Sequence, residues 1–572
     1  MVRRRRSADG RNSGTGANST NRHNAASRRC ISIALRITSK IIGLAACAAL
    51  TAGAVASVAP QAFAGSTPGN GVIVDALFEE PDILNPAAGP TMTYSDIVNT
   101  SLFQNLYDTT PQGKIVPVIA TGMPVVSANG LHYTFTMKHT TWNNGTPFTA
   151  SDIVATWKLT MSSGFIPWST TGWSDVTSIT VANPYKFTVN LAKPFTALVA
   201  DCFATDAPGI IPASVFGPGK LMGKAANSAS YNHDPSVTNG PFEFKSWTPG
   251  VSITVVPNPH WFGAKPKAKE IVYTIVPNEN TILADAQSHA INVYYFDSVT
   301  QVAQLEAIKG ATVHFTTQPA WEGIQLNLRD PFLDNVKVRQ ALAMAIDYQA
   351  LVSKVWDGHA IEIGADQPPD SYAYNPNLHP YPFNLAKAKQ ILLSQGFKMG
   401  SNGYLEKNGT EFTLVYSTTS GDPWRALDQE LIQTWFRAIG VNVVIKDYPA
   451  NAYFGTVLPS GKGWQMGEFE FAEGYDPLAG MQPMFGTGGV NNYGNFSNPA
   501  LDKLFTEAAN TTSHATEKSL LQQAEVIIHD QVPEIMLYSP KEIDTSIDMT
   551  GYQPHPYMVD TWTSYNWANA AE

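Results

Sequence analysis

The chain has 572 residues, of which 44% are hydrophobic and 15% are charged, a composition typical of a folded protein with several packed cores and not of a disordered chain. Its net charge is −10, and the first 64 residues hold ten basic residues against one acidic residue, so the remainder carries about −19. This charge argues against binding to nucleic acid and against docking on an anionic membrane surface.

The first 64 residues have the composition of an export signal. Residues 1–40 are basic and polar, Ile41–Ala59 is a mostly apolar run without charge, and Ala62-Phe63-Ala64 places small residues at the spacing that signal peptidase reads. The apolar run is near the length that spans a bilayer, so a membrane anchor is the alternative. Its alanine and glycine content favours a signal peptide over residues 1–64 and an extracytoplasmic location for the rest of the chain.

Two details of export stay open at this point. Leu44-Ala45-Ala46-Cys47 matches a lipoprotein box, which predicts a lipid anchor at Cys47 as the alternative to free secretion. The apolar run continues past Cys47, however, where a lipoprotein would turn polar. Ser27-Arg28-Arg29 is similar to a twin-arginine signal, the alternative to the general export route.

Motifs for catalysis and for metal binding are absent from the sequence. Cys202 is the one cysteine beyond the leader, which excludes a disulfide framework and an all-cysteine metal site. We expect Cys202 to be a small buried apolar residue rather than a nucleophile. The sequence contains no G-x-S-x-G, H-E-x-x-H, phosphate-binding or dinucleotide-binding pattern.

Strand and helix patterns alternate beyond the leader, which predicts α/β layers. Alternating apolar residues predict strands, and apolar residues at three-to-four spacing predict helices. In the first half these patterns predict strands at Gly71–Ala76, Tyr133–Lys138, Lys269–Val276 and Ile291–Val293, a hairpin at Ile179–Leu191, and helices at Phe103–Tyr107, from Ala150 onward and at Asn280–His289. Thr149 or Ser151 can cap the helix that starts at Ala150.

The second half continues the same alternation. Pro331–Asp347 is predicted to be a loop that turns into a helix, with Asp334 as its cap. The other patterns predict strands at Gly323–Leu328, Val441–Ile445, Gly467–Phe471 and Val532–Tyr538, and helices at Leu385–Leu393 capped by Asn384, at Trp424–Ile439 closed by Gly440, and after Asn498.

Two blocks of the chain match long sequence patterns. The first pattern is N-x…P-F-x-D-x-x-V-R-x-A-x-x-x-A-I-D, and the second is a strand followed by D/N-G-x-P-x-x-A-x-D-V. The chain matches them at Asn327, Pro331-Phe332, Asp334, Val338-Arg339, Ala341 and Ala345-Ile346-Asp347, and at Asn144-Gly145, Pro147, Ala150 and Asp152. With these blocks the chain resembles the ABC transporter extracellular substrate-binding proteins of family 5, the peptide, oligopeptide and nickel-binding type. It has one residue more than the family pattern between Asp334 and Val338, and the resemblance covers about residues 70–540.

The resemblance implies an α/β fold of the type II periplasmic-binding-protein kind, in which two lobes are joined by a hinge and a third subdomain is inserted. The ligand would bind between the lobes and be buried by hinge closure. The implied boundaries are 65–95, 231–317 and 526–572 for lobe I, 96–230 for the inserted subdomain and 318–525 for lobe II.

The best candidate for a ligand site is the loop after the predicted strand Gly467–Phe471, because open α/β sheets bind ligands at the carboxyl ends of their strands. The family has W-x-x-D-Y-x-D-P here, and its first Asp commonly pairs with the amino terminus of a bound peptide. The resemblance therefore implies that Glu473, which stands in place of that Asp, binds a ligand ammonium group, with Tyr475 and Asp476 in the same site. A buried ammonium group needs a carboxylate partner. The alternative for Glu473 is a solvated loop carboxylate.

Three aromatic residues and one arginine complete the predicted site. Trp321, Trp464 and Tyr475 are candidate walls of the ligand cavity, and core packing is the alternative for each. Arg425, at the start of a predicted helix, is a candidate for bidentate binding of a ligand carboxylate, and an exposed surface arginine is the alternative.

The sequence therefore predicts a monomeric extracytoplasmic receptor that captures small peptides and delivers them to an ABC permease in the membrane. Main-chain groups of a peptide can be paired like those of an added β-strand, while wet pockets accept varied side chains. The prediction includes no catalytic residue, no cofactor, no metal site and no nucleic acid. Two alternatives stay open: the same fold with an oligosaccharide, an opine-like solute or chelated nickel as ligand, and a secreted hydrolase whose catalytic residues are dispersed.

Overall fold

The computed structural model describes residues 67–89, 93–204, 209–295, 298–472, 475–557 and 559–570. All of these residues fall in one packed unit, Ala64–Glu572. The predicted signal peptide, including Cys47, lies outside the described residues, and so does Glu473.

Short strands and helices alternate in the first half of the chain. The strands are β1 (Val72–Leu77), β2 (Tyr107–Thr109), β3 (Ile115–Pro117), β4 (Val125–Val126), β5 (His132–Thr136), β6 (Val176–Asn183), β7 (Lys186–Leu191), β8 (Phe242–Thr248), β9 (Ser252–Pro257), β10 (Glu270–Ile275) and β11 (Val293–Tyr294). The helices are α1 (Thr93–Leu102), α2 (Ala150–Thr160), α3 (Leu198–Phe203), α4 (Lys224–Asn227), α5 (Glu279–Gln287) and α6 (Val302–Glu306).

The second half contains the longest strand and the longest helices. Its strands are β12 (Ala311–Thr317), β13 (Ala320–Leu326), β14 (Ala360–Ile361), β15 (Lys398–Met399), β16 (Leu405–Lys407), β17 (Thr410–Glu411), β18 (Thr413–Ser417), β19 (Asn442–Ile445), β20 (Met466–Ala472), β21 (Glu534–Ile547), β22 (Met549–Thr550) and β23 (Ala568–Asn569). Its helices are α7 (Val336–Met344), α8 (Tyr348–Val355), α9 (Leu385–Ser394), α10 (Pro423–Ile439), α11 (Ala450–Ala452), α12 (Leu458–Ser460), α13 (Pro477–Phe485), α14 (Pro499–Asn510) and α15 (His514–Gln531).

The strand β21 joins two halves of one extended sheet, whose order is β19-β18-β20-β13-β21-β11-β1-β10-β9-β8. The first part of β21, residues 534–538, pairs with β13. Its last part, residues 541–547, pairs with β12, and residues 545–546 also pair with β11. Between these parts Pro540 pairs with Ala360 of β14. The partner of β21 therefore changes at Pro540, a residue that has no N–H to donate.

Apolar side chains form separate cores in the two halves of the sheet, before and after the point where β21 changes its partner at Pro540. Buried residues from positions 73–308, with Ile547 and Trp567, form the cores of the first half. Buried residues from positions 321–538 form those of the second half. In the first half β1 runs parallel to β10 and β11, and in the second β18 runs parallel to β19 and β20. Each half thus has its own parallel strands over its own hydrophobic core, and β21 runs through both.

Local signals predicted several helix ends correctly. Thr149 caps α2 and forms a capping box with Asp152. Asn384 caps α9, Asn498 caps α14, and Gly440 ends α10 in the left-handed conformation with φ 91°. These caps satisfy backbone groups that lack partners at the ends of a helix, so they depend on few residues outside the helix.

Three predictions from the sequence were wrong. Asn335, not Asp334, caps α7, because the extra residue in this loop shifts the helix start. Phe103–Tyr107 is not helical: α1 ends at Leu102, and Tyr107 begins β2. The strand expected at Val532–Tyr538 starts at Glu534 and runs on through Pro540 to Ile547.

Cys202 is fully buried as a free thiol, as the sequence predicted. Burial raises the pKa of this thiol, with Asp201 and Asp175 adding to the effect, so the reactive thiolate is disfavoured. No helix in the described part of the chain is both long and apolar enough to span a bilayer.

Candidate functional site

Asp476 and Tyr475 lie directly after the carboxyl end of β20, where the sequence predicted them. Asp476 is buried and caps α13 by accepting a hydrogen bond from the Leu478 N–H at 3.0 Å. Burial, followed by the nearby Glu517 carboxylate, raises the pKa of Asp476 to about 7, although hydrogen bonds lower it. Asp476 thus has a structural partner in α13 whether or not it also meets a ligand.

Tyr475 belongs to an aromatic group that joins segments distant in sequence. Its ring centroid lies 5.6 Å from that of Tyr372 and 6.1 Å from that of Tyr557. The Tyr372 hydroxyl lies 3.5 Å from Asp476 Oδ1, and the Tyr557 hydroxyl donates a hydrogen bond to the Asp370 carbonyl. Tyr557 comes from the last segment of the chain, so this group connects that segment with the loop after β20.

Arg425 is engaged by two protein carboxylates. Its Nε donates to Glu322 Oε1 at 2.8 Å and its Nη2 donates to Glu322 Oε2 at 3.1 Å, while Nη1 donates to Asp422 Oδ2 at 2.8 Å. Only 11% of the Arg425 side chain and 1% of the Glu322 side chain are exposed. Arg425 is therefore a buried partner of the central strand β13, and its binding of a ligand carboxylate stays a prediction.

Both candidate tryptophans are fully buried in the same hydrophobic core. Trp321 Nε1 donates to Glu534 Oε1 at 2.9 Å, and Trp464 Nε1 donates to the Val457 carbonyl at 3.2 Å. The structure therefore brings Tyr475 and Asp476 together after β20, and it places Arg425, Trp321 and Trp464 in packed surroundings. The role of Trp321, Trp464 and Tyr475 as walls of a ligand cavity stays a prediction.

Sequence analysis missed a set of buried carboxyl groups around Arg425. Tyr538 donates a hydrogen bond to Asp428 Oδ2 at 2.5 Å, and Tyr416 donates to Glu468 Oε2 at 2.8 Å. Burial is the main cause that raises the pKa of Asp428 to about 8 and raises the pKa of Glu468 well above its ordinary value. The signal was present in the strand Gly467–Phe471, whose glutamates occupy every second position, but that alternation alone predicts a solvent-facing side.

Glu534, which accepts a hydrogen bond from Trp321, makes the stability of the fold depend on pH. Burial raises the pKa of Glu534 to about 8, although hydrogen bonds from Trp321 and Gln325 lower it. The folded state therefore keeps a proton that the unfolded chain releases near the ordinary pKa of glutamate, so this group makes folding less favourable as pH rises toward 8.

The free energy of unfolding should therefore decrease between pH 6 and pH 8 by about 1–2 kcal/mol less in Glu534→Gln than in wild type. The amide oxygen of glutamine still accepts the hydrogen bond from Trp321, and the amide does not titrate in this range. Urea unfolding at both pH values measures it. The exposed Glu430→Gln serves as the control and should keep the wild-type slope. Equal slopes in Glu534→Gln and wild type would contradict the assignment.

In the described ranges no three His, Cys, Asp or Glu side chains are placed to hold a metal ion together. The carboxyl groups instead come from the strands β13 and β20 and from the helix α10, and each bonds to a tyrosine hydroxyl or to Arg425. Such an arrangement can hold protons and can attract an organic cation.

Comparison with known proteins places this chain in a family. The sequence profile described as "Bacterial extracellular solute-binding proteins, family 5 Middle" matches residues 114–492. The chain is 24% identical over 515 residues to the oligopeptide-binding protein AppA of Bacillus subtilis, which covers 87% of this chain and 92% of AppA. It is 28% identical over 357 residues to heme-binding protein A of Haemophilus influenzae, which covers 60% of this chain and 61% of that protein.

Solved structures share the fold. AppA of Bacillus subtilis in complex with a nonapeptide superposes with a TM-score of 0.71 at 21% identity, covering 87% of this chain and 99% of AppA. NikZ of Campylobacter jejuni in complex with Ni(L-His) superposes with a TM-score of 0.74 at 21% identity, covering 88% of this chain and 100% of NikZ. The predicted α/β fold of the type II periplasmic-binding-protein kind, with two lobes, a hinge and an inserted subdomain, is confirmed. The chain belongs to family 5 of the bacterial extracellular solute-binding proteins.

Proposed function

We propose that this protein captures peptides outside the cytoplasm and delivers them to the membrane permease of an ABC importer, without breaking a bond. The observation that carries the proposal is the course of β21, which runs unbroken through two halves that pack their cores separately. A strand that changes partners at Pro540 can bend there while both cores stay intact, as hinge closure over a ligand requires.

A few polar contacts bridge the predicted lobes away from β21. Thr196, within the predicted inserted subdomain, donates a hydrogen bond to Glu517 Oε1 at 2.9 Å, and Glu517 belongs to predicted lobe II. The Tyr557 hydroxyl, from the last segment of lobe I, donates to the Asp370 carbonyl of lobe II. These two hydrogen bonds can break and form again as the lobes open and close, as can the ring contact between Tyr475 and Tyr557.

The relatives favour a peptide as the ligand. AppA is named an oligopeptide-binding protein, and its solved structure holds a nonapeptide. Heme-binding protein A and the NikZ complex with Ni(L-His) favour a second candidate, in which the same cleft takes a chelated metal. AppA matches this chain over 515 residues and heme-binding protein A over 357, and the longer match supports the peptide.

The test measures both ligand binding and the change in the protein's radius of gyration on binding. Calorimetry with a mixed tripeptide set, with cello-oligosaccharides, with heme and with Ni(L-His) identifies the ligand class, and small-angle scattering with and without the ligand measures closure. We expect peptides to bind and the radius of gyration to fall. Binding of another class alone would contradict the peptide, and superimposable scattering curves would contradict closure. Hydrolysis of chromogenic esters or peptides by the purified protein would contradict a purely binding role.

The proposal includes export by removal of residues 1–64, a monomeric state and no contact with nucleic acid. The family is described as extracellular, which supports export. Mass spectrometry of the protein recovered from its native host distinguishes a chain that begins at Gly65 from a lipid-modified chain that begins at Cys47. An uncleaved amino terminus would contradict removal of residues 1–64 and favour the membrane anchor instead.

Glu473→Gln is expected to weaken the binding of a peptide with a free amino terminus by about 2–5 kcal/mol, because an ammonium group buried beside a neutral amide loses its partner. The expectation depends on the family pattern at this position. Calorimetry measures it, with Glu430→Gln as the control variant and an amino-acetylated peptide as the control ligand. An unchanged dissociation constant would remove Glu473 from the site.

A further inference from the structure

The start of α15, in predicted lobe II, lies against the predicted inserted subdomain. Thr196, shortly before α3, donates a hydrogen bond to Glu517 Oε1 at 2.9 Å. Deepening the proposed function, on which this inference depends, we propose that this contact is a latch. Glu517 is then a positioning residue, which holds the inserted subdomain against lobe II when the lobes close and so slows the release of every ligand.

The two parts also fit each other in shape beside this hydrogen bond. Gly130, in the turn after β4, is buried. A Cβ atom added to Gly130 would lie 2.6 Å from Thr512 Cγ2 and 3.2 Å from Pro194 Cβ, so the Gly130 backbone packs directly on the segment between α14 and α15. Thr512 and Glu517 therefore meet the inserted subdomain at two neighbouring points, and the latch is a small surface rather than one bond.

Glu517 begins the buried face of α15. The buried residues of this helix are Glu517, Leu521, Ala524, Glu525 and Ile528. A carboxylate in the first turn of a helix is favoured by the partial positive charge of the helix start. Burial removes water from it, however, and Glu517 is 2% exposed, so the Thr196 hydroxyl replaces a water donor. The second oxygen of Glu517 lies 3.4 Å from Nδ1 of His514, whose side chain is 55% exposed.

The latch lies close to the loop after β20. Tyr372 connects the two, because its ring centroid lies 4.4 Å from that of His514 and its hydroxyl lies 3.5 Å from Asp476 Oδ1. Burial, followed by the Glu517 carboxylate, raises the pKa of Asp476, so the two carboxyl groups act on each other. Closure at Glu517 therefore fixes the surroundings of Asp476, beside which the ligand is proposed to bind.

The latch stabilises the closed form without touching the ligand. In the open form water solvates the Glu517 carboxylate, whereas in the closed form the Thr196 hydroxyl does so. Without this hydroxyl, closure would bury the carboxylate with one donor fewer, which makes the closed form less populated. The apparent affinity of a ligand falls with the population of the form that binds it. Loss of the hydroxyl should therefore weaken the binding of all ligands by one factor, mainly through faster dissociation.

Thr196→Val tests the latch, because valine keeps the shape of threonine and lacks its hydroxyl. With the full-length protein and the peptides Ala-Ala-Ala and Ala-Phe-Ala, calorimetry should give dissociation constants at least about tenfold higher for both peptides. Stopped-flow kinetics should place most of this change in the dissociation rate. Thr196→Ser restores a hydroxyl and should return both constants to within about twofold of wild type. Thr170→Val, at an exposed threonine of the same subdomain, is the control and should match wild type.

A second measurement needs no ligand. Spin labels on Thr180→Cys in the inserted subdomain and on Lys503→Cys in lobe II report the distance between the two parts; both positions are exposed, whereas the native Cys202 is buried. In the ligand-free protein, electron resonance should show a smaller population at the short distance in Thr196→Val than in wild type. Thr196→Ser should keep the wild-type distribution.

Each outcome decides one statement. If both peptides bind and Thr196→Val weakens both by one factor, the latch is supported. If it weakens neither, the latch is overturned, and an effect on one peptide alone also overturns it, because Thr196 then contacts that ligand. If neither peptide binds to wild type, the proposed peptide-binding function fails and the label distances decide the latch: equal distributions in Thr196→Val and wild type overturn it. Should Thr196→Val fail to fold by circular dichroism, Thr196→Ala takes its place under the same criteria.

Discussion

Replacing Arg425→Met is expected to lower the free energy of unfolding by about 3–5 kcal/mol, because it leaves the Glu322 carboxylate buried and unpaired. The Glu322 side chain is 1% exposed and accepts two hydrogen bonds from Arg425. Urea unfolding monitored by circular dichroism measures the loss. The matched control is Lys503→Met, which breaks the exposed pair between Lys503 and Glu507 and should change stability by less than about 0.5 kcal/mol.

The double variant Arg425→Met with Glu322→Gln distinguishes the effect of an unpaired charge from the effect of lost side-chain packing. Removing both charges should recover part of the loss, since no unpaired charge is then buried. A double variant as unstable as the single one would show that packing of the Arg425 side chain, rather than its charge, stabilises this region. A single variant as stable as Lys503→Met would contradict the buried pair itself.

Replacing Arg339→Met is expected to lower the free energy of unfolding by a similar amount, about 3–5 kcal/mol. Arg339 is 3% exposed and donates to four backbone carbonyls, those of Leu333, Asp334, Gln531 and Val532. It therefore ties the loop before α7 to the end of α15, directly before β21. Without the guanidinium group these carbonyls lose their charged donor in a buried place.

The geometry of Arg339 makes lysine a poor substitute. Val532 has a φ of 46°, which is strained for a β-branched residue, and the Arg339 fork holds its carbonyl. A lysine ammonium group is a point charge and cannot reach both segments, so Arg339→Lys should still cost about 1–3 kcal/mol. Arg437→Met, at an exposed arginine in the last turn of α10, is the control and should stay within about 0.5 kcal/mol. Wild-type stability in Arg339→Lys would show that the positive charge alone suffices.

Arg339 also explains why the sequence block around Pro331–Asp347 identifies the fold so well. Its apolar residues pack into one core, and its arginine fastens the strand that joins the two halves. The block is thus a structural element rather than a ligand site. A pattern with this role can be read from sequence because its spacing repeats the geometry of a loop and a helix.

Helices with caps were the easiest part of the fold to predict. The helix expected at Trp424–Ile439 is α10, Pro423–Ile439, and Gly440 ends it as predicted. The helix α2 starts after Thr149, as predicted. In both, the signals lie within a few residues of the helix end, so the chain carries them locally.

The site was harder to predict because its partners lie far apart in sequence. Glu322 and Arg425 are 103 residues apart, and Trp321 and Glu534 are 213 residues apart. The alternating pattern of β20 could not tell whether Glu468 faces solvent or a buried face. The late strand was predicted to end at Tyr538, whereas β21 continues through Pro540, which pairs with Ala360 of β14.

The sequence by itself determined the family, the α/β class and several of the helix ends, because each of these depends on spacing and composition within a short stretch. Tertiary structure alone decided which charges are buried, which arginine is already paired and which strand joins the halves. Those properties depend on contacts between segments more than one hundred residues apart, and burial changes the energy of a charge far more than any neighbour in sequence does.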